Sequence, residues 1–148
     1  MKTTLVIFSL SLTLSGFAQQ SKSERDVKTA VLNYIEGFYE GDSVKLKKCL
    51  SHSLVKYGYW KDKKSGNFDG ESMSYQQAIA YAKETLAKKE FATAGSPKEI
   101  VVLDVQEFVA CAKVKAWWGI DYVLLSKHSG SWMIDQVLWQ GPLNTIVK

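Results

Sequence analysis

Residues 109–139 read VACAKVKAWWGIDYVLLSKHSGSWMIDQVLW, and this stretch decides the fold. Ala110, Ala112, Val114 and Ala116 alternate with Val109, Cys111, Lys113 and Lys115, the period of two that belongs to a strand with unlike faces. The alanine face is small enough for a helix to lie close against it, while the lysine face looks to solvent or a partner. Ser129-Gly130 has the composition of a hairpin turn. The spacing predicts strands over 109–117, 120–128 and 131–139, with a fourth over 99–106. Short links between them imply an antiparallel meander.

Upstream the period changes. Val27, Ala30, Val31, Tyr34, Ile35, Phe38 and Tyr39 recur at three- and four-residue intervals, which gives a helix one broad apolar face. Gly41 suits the left-handed residue just past its end, and Asp42 or Ser43 can cap a short helix over 44–51. A strand is expected over 54–60, rich in Val, Tyr and Trp. The polar, glycine-containing segment 61–72 is expected as a solvated loop. Ser74 and Gln77 form a capping-box pair that opens a third helix, with Ile79, Ala82 and Leu86 expected inward. Gly95-Ser96-Pro97 stops that region. The sum is an α+β domain in which three helices pack on the concave face of a curved antiparallel sheet. Such a cone leaves a hollow where a small ligand could sit.

The chain has 148 residues and a formal net charge of +4. Arg25 is its only arginine, so the bidentate forks typical of a nucleic-acid surface are missing and no nucleic-acid partner is expected. Two His and two Cys are too few for a convincing zinc site, and no metal or other cofactor is expected. Cys49 and Cys111 could be oxidised in an exported protein or could be small buried apolar residues. No Gly-rich phosphate loop, Gly-x-Ser-x-Gly elbow or His-Glu-x-x-His occurs. Residues 1–18 have the form of a cleavable signal peptide: Met1-Lys2, an apolar run over 5–14, then Gly16-Phe17-Ala18. Cleavage near Ala18 would leave a single domain over 19–148, periplasmic or secreted and without a membrane anchor.

Tyr34-Ile35-Glu36-Gly37-Phe38-Tyr39-Glu40-Gly41-Asp42, followed by Leu50-Ser51-His52-Ser53-Leu54-Val55-Lys56, resembles the opening of the putative lumazine-binding family. Asp121-Tyr122-Val123-Leu124-Leu125, Gly130-Ser131-Trp132-Met133-Ile134 and Val137-Leu138-Trp139 resemble its close. The resemblance runs from about Glu24 to Trp139. That family lies in the nuclear-transport-factor-like superfamily, of cystatin-like shape, with the ketosteroid isomerases and SnoaL-type cyclases. It implies a conical pocket and a homodimer formed through the outer sheet face. In the isomerases a helix Tyr and a sheet Asp form an oxyanion hole, and Tyr34 and Asp121 match them. The isomerase base is an Asp on the first strand, and Gly58 stands at the matching position.

Several side chains are therefore candidates. Tyr34 shares the inward helix face with Val31 and Phe38, and it could donate to a ligand oxygen or to a neighbour in the core. Asp121 shares strand parity with Val123 and Leu125. Tyr57, Trp60 and Trp139 could stack on a flat ligand, whereas Trp132 and Ile134 look structural. Catalysis, if any, would draw on His52, Asp121 or Asp135. Lys56, Lys61, Lys63 and Lys64 look like a solvated strand edge. The reading that results is an exported protein binding a flat, largely apolar molecule. The alternatives are an isomerase, dehydratase or cyclase using the same hollow, or a protein-interaction module with a filled core.

Overall fold

A computed structural model describes residues 21–143; the expected signal peptide lies outside the described residues. Helix α1 (Lys22–Tyr39) starts at Ser21, whose side chain accepts from the Glu24 amide. Helix α2 (Ser43–Cys49) is capped by Asp42, which accepts from the Val44 and Lys45 amides. Gly41 joins them at φ +66°, and a side chain there would drive into the backbone of Ala82 and Leu86. Helix α3 (Tyr75–Lys88) opens with the expected Ser74–Gln77 capping box. Its buried face is Ala78, Ile79, Ala82 and Thr85. Leu86 is half exposed, one position off that face, contrary to expectation.

Six strands form one sheet: β1 (Leu50–Lys61), β2 (Phe68–Met73), β3 (Glu99–Val105), β4 (Val109–Ala116), β5 (Gly119–His128) and β6 (Ser131–Gln140). Their order is β2-β1-β6-β5-β4-β3. The meander β3–β6 is antiparallel as expected. The sheet as a whole is mixed, because β1 runs parallel to β6. Everything from β2 to β5 separates those two strands in sequence, so no hairpin turn constrains their direction. The segment expected as a loop contains β2, which pairs antiparallel with β1. It is an exposed edge strand without an inward apolar row, which is why its sequence reads as a loop. Asp62 closes the hairpin by accepting from the Lys64 and Ser65 amides.

Register shifts interrupt the β1–β6, β3–β4 and β5–β6 ladders, and bulges of this kind bend strands. Helix α1 packs against β3, β4 and β6. The alanine face of β4 is buried against it: Ala112 is 1% exposed and Ala116 fully buried. Trp132 and Ile134 are also buried, as structural residues should be. Cys49 lies in the core, Cys111 alternates with the inward Ala110 and Ala112, and both thiols are free. Burial pushes the Cys49 thiol up. Among the described residues no helix is long and apolar enough to cross a membrane.

Candidate functional site

The polar centre of the interior joins α1, β1 and β5. Tyr34 is fully buried and donates its hydroxyl to Asp121 Oδ2 at 2.5 Å. Trp118 Nε1 donates to Asp121 Oδ1 at 2.8 Å, so both carboxylate oxygens are occupied. The third member is Lys56. Its Nζ donates to Tyr34 Oη at 2.7 Å and stands 3.8 Å from Asp121 Oδ2. A carboxylate with no exposed surface needs such partners, since an uncompensated charge inside a protein is strongly unfavourable.

Lys56 is only 7% exposed and does not form the solvated edge its neighbours suggested. Strand parity explains the difference. Leu54, Lys56 and Gly58 point inward while Val55, Tyr57 and Tyr59 point out. Four rings surround the amine, with centroids 5.3 Å away for Tyr34, 5.7 Å for Phe38, 5.9 Å for Trp118 and 5.2 Å for Trp139. These distances lie within cation–π range. Burial pushes the Lys56 amine below its ordinary value, and the Asp121 charge opposes that shift. Burial, followed by the Asp121 charge, holds the Tyr34 phenol well above its usual value, so it remains a proton donor.

Above this group lies a cavity of about 120 Å³ lined by Phe38, Lys56, Glu71, Met73, Tyr81, Trp117, Trp118 and Trp139. An outer groove of about 660 Å³ shares Trp117, Trp118 and Trp139 with it and adds Trp60 and the Lys61–Lys63 turn. Tyr39 helps hold that tryptophan corner, because its hydroxyl donates to the Pro97 carbonyl and accepts from the Trp117 amide.

Of the residues singled out from sequence, Trp139 lines the hollow and Trp60 the groove beyond it, while Tyr34 and Asp121 meet fully buried behind Lys56 and reach the hollow only through that amine. Tyr57 does not join them. It is on the opposite face of β1, its ring 5.4 Å from that of Tyr59. His52 is exposed, its ring 4.5 Å from that of Tyr75, and does not line the hollow. Asp135 binds Ser126 and His128 near the β5–β6 turn, also apart from the hollow. At Gly58 a Cβ atom would fall 2.2 Å from the Trp139 indole. The ring therefore occupies the space into which an isomerase-type base would project. Among the described residues no cluster of three or more His, Cys, Asp or Glu could hold a metal ion.

A six-stranded mixed sheet covered by three helices is the architecture of a nuclear-transport-factor-like domain. The family model described as putative lumazine-binding matches residues 22–140, and the chain belongs to that family. The fold resembles an NTF-2-like protein of unknown function from Silicibacter pomeroyi DSS-3, at 19% identity over 78% of this chain and 92% of that one, with a TM-score of 0.58. An NTF2-like protein from Methylobacillus flagellatus KT gives 21% identity over 81% and 93%, with a TM-score of 0.58. A domain of cystatin-like fold from Nostoc punctiforme PCC 73102 gives 12% identity over 86% and 82%, with a TM-score of 0.57. No curated protein matches the chain.

Proposed function

We propose that this is an exported binding protein that holds a flat, largely apolar small molecule in the aromatic hollow. The observation that carries the reading is the juxtaposition of tryptophan and phenylalanine walls with the Lys56–Tyr34–Asp121 chain. Apolar walls with a few convergent polar groups are the usual make-up of a small-molecule site. The inner cavity, about 120 Å³, is below the ~300 Å³ of an ordinary ligand pocket. It is nearer the ~150 Å³ of a cavity that accommodates benzene. The inner cavity therefore takes at most a single small ring, and a larger ligand would extend along Trp117 and Trp118 into the groove. The isomerase alternative is disfavoured because Trp139 covers the base position at Gly58. Export rests on the signal-like residues 1–18. A homodimer through the outer sheet face is supported by the half-exposed Val101, Leu103, Tyr122, Leu124 and Leu138.

Native mass spectrometry of protein recovered from its own periplasm tests the reading. A single co-purifying small molecule is expected, retained less well by Tyr34→Phe. Bare protein under several growth conditions would count against a resident ligand, and equal retention by the variant would remove Tyr34 from the site.

A further inference from the structure

Lys56 is a primary amine that lines a cavity, and the binding reading uses it only as an orienting group. Its setting is unlike that of the chain's surface lysines. Lys22 and Lys115, for example, form exposed ion pairs with Asp26 and Glu99. Lys56 instead faces an aromatic hollow of one-ring size, and a continuous hydrogen-bonded path leads away from its nitrogen. The first step is 2.7 Å to Tyr34 Oη, and the second is 2.5 Å from that hydroxyl to Asp121 Oδ2. A proton can leave the ammonium for the carboxylate along this path, with the phenol receiving one proton and passing on another. The charged pair then becomes a neutral amine and a neutral acid. With Lys56 only 7% exposed and Asp121 fully buried, that exchange removes two poorly solvated charges together.

We infer that Lys56 captures small aromatic aldehydes or ketones by forming an imine at the floor of this hollow. The inference rests on the hollow being a ligand site and names the chemical class it takes. The nitrogen lone pair attacks the carbonyl carbon, and the carbon–oxygen π pair moves to oxygen. Protonation of that oxygen and loss of an N–H proton give the carbinolamine. Its hydroxyl then takes the proton held on Asp121, relayed through Tyr34, and leaves as water. The second N–H proton passes back through Tyr34 to the Asp121 carboxylate, leaving the neutral imine, so the overall change is amine plus carbonyl to imine plus water. The aromatic walls hold the ring of the captured compound. Burial lowers the proton affinity of Lys56, which raises its free-amine fraction at neutral pH.

The test is reduction with cyanoborohydride at pH 7 in the presence of benzaldehyde, followed by peptide mapping. Benzyl alcohol, which has the ring and no carbonyl, serves as the non-covalent probe, read by tryptophan fluorescence. The Lys56 peptide should be labelled severalfold faster than the mean of the other lysines, because the aromatic walls hold the aldehyde against this amine and burial raises its free-amine fraction. Lys56→Arg keeps a cation beside Asp121 and should lose that label while retaining its circular dichroism spectrum. Tyr34→Phe keeps the amine but breaks the proton path, and should slow labelling severalfold. If benzyl alcohol binds while label appears only on surface lysines, imine capture is overturned and the binding site stands. If neither probe perturbs the tryptophans and Lys56 stays unlabelled, both readings fall.

Discussion

Asp121 and Asp135 belong to the two strands of one hairpin, β5 and β6, and each accepts hydrogen bonds from two side chains. Asp121 is buried beneath the helices with Tyr34 and Trp118 as donors and Lys56 nearby. Asp135 keeps 27% of its side chain exposed and binds Ser126 and His128. The second group contains the residue types of a hydrolytic triad but has the wrong connectivity. Ser126 donates directly to Asp135, and His128 uses the same nitrogen, Nε2, at 2.8 Å from Ser126 and 3.1 Å from Asp135. A nucleophile relay needs the imidazole between hydroxyl and carboxylate, one nitrogen toward each. Residue type alone does not define a site. Burial and the direction of each hydrogen bond decide whether a carboxylate organises chemistry or ties down a turn.

The largest effect is expected from removing the buried acid. Asp121→Ala would leave the Lys56 cation without its counter-charge and would orphan donors on Tyr34 and Trp118. Loss of one member of a buried ion pair costs about 3–5 kcal/mol. Urea unfolding should show that loss as a lower midpoint. A change below about 1 kcal/mol would mean that water reaches Lys56 and the group is not sealed.

Much of the fold could be read from the sequence, because it depends on local periods. The helical spacing of Val27 to Tyr39 placed Tyr34 inward, and the alternation through Val123 and Leu125 placed Asp121 inward. Their meeting across the core followed from those two orientations and the family resemblance. Lys56 was missed because its charge, close to Lys61, Lys63 and Lys64, suggested solvent. Its parity with the apolar Leu54, opposite to Val55, Tyr57 and Tyr59, was the signal that could have found it. Parity also separates Tyr57 from Trp60, although both are aromatic residues of the same strand. The parallel β1–β6 pairing depends on contacts between the two ends of the domain, for which no local pattern exists. Strand β2 failed for a different reason: an exposed edge strand needs no apolar alternation.

Two lysines sharpen the contrast between interior and rim. Burial holds Lys56 below the ordinary 10.5, whereas the hydrogen bonds Lys45 donates to Glu36 and Glu40 raise Lys45 above it. Between the lowered Lys56 value and 10.5 the unfolded chain binds more protons, so this lysine makes stability rise with pH. Above 10.5 the folded chain retains the Lys45 proton longer, so the contribution of Lys45 is lost as pH climbs through its folded value. Tyr34, raised above 10.0, acts in the same sense as Lys45 in that alkaline range. The groups facing Lys56 are Tyr34, Asp121 and Glu71. Urea midpoints measured from pH 7 toward pH 10 should therefore gain more in the native chain than in Lys56→Met. Parallel profiles would assign the alkaline behaviour to the rim instead.

The smallest effect belongs to the outer acid. Asp135→Ala removes a carboxylate that water can partly replace, because His128 and Asp135 are both open to solvent. His128 pairs with it only when protonated, and exposed ion pairs contribute about 0–1 kcal/mol. The expected cost is in that range, and double-mutant analysis with Ser126→Ala should find little coupling beyond the shared hydrogen bond. Hydrolysis of an activated ester should be the same in both single variants and the native chain, because the Ser126 proton is already directed at the carboxylate rather than at the imidazole. A Ser126-dependent esterase signal would show that the three residues rearrange into a relay. The division between an organising interior and a merely structural hairpin would then have to be redrawn.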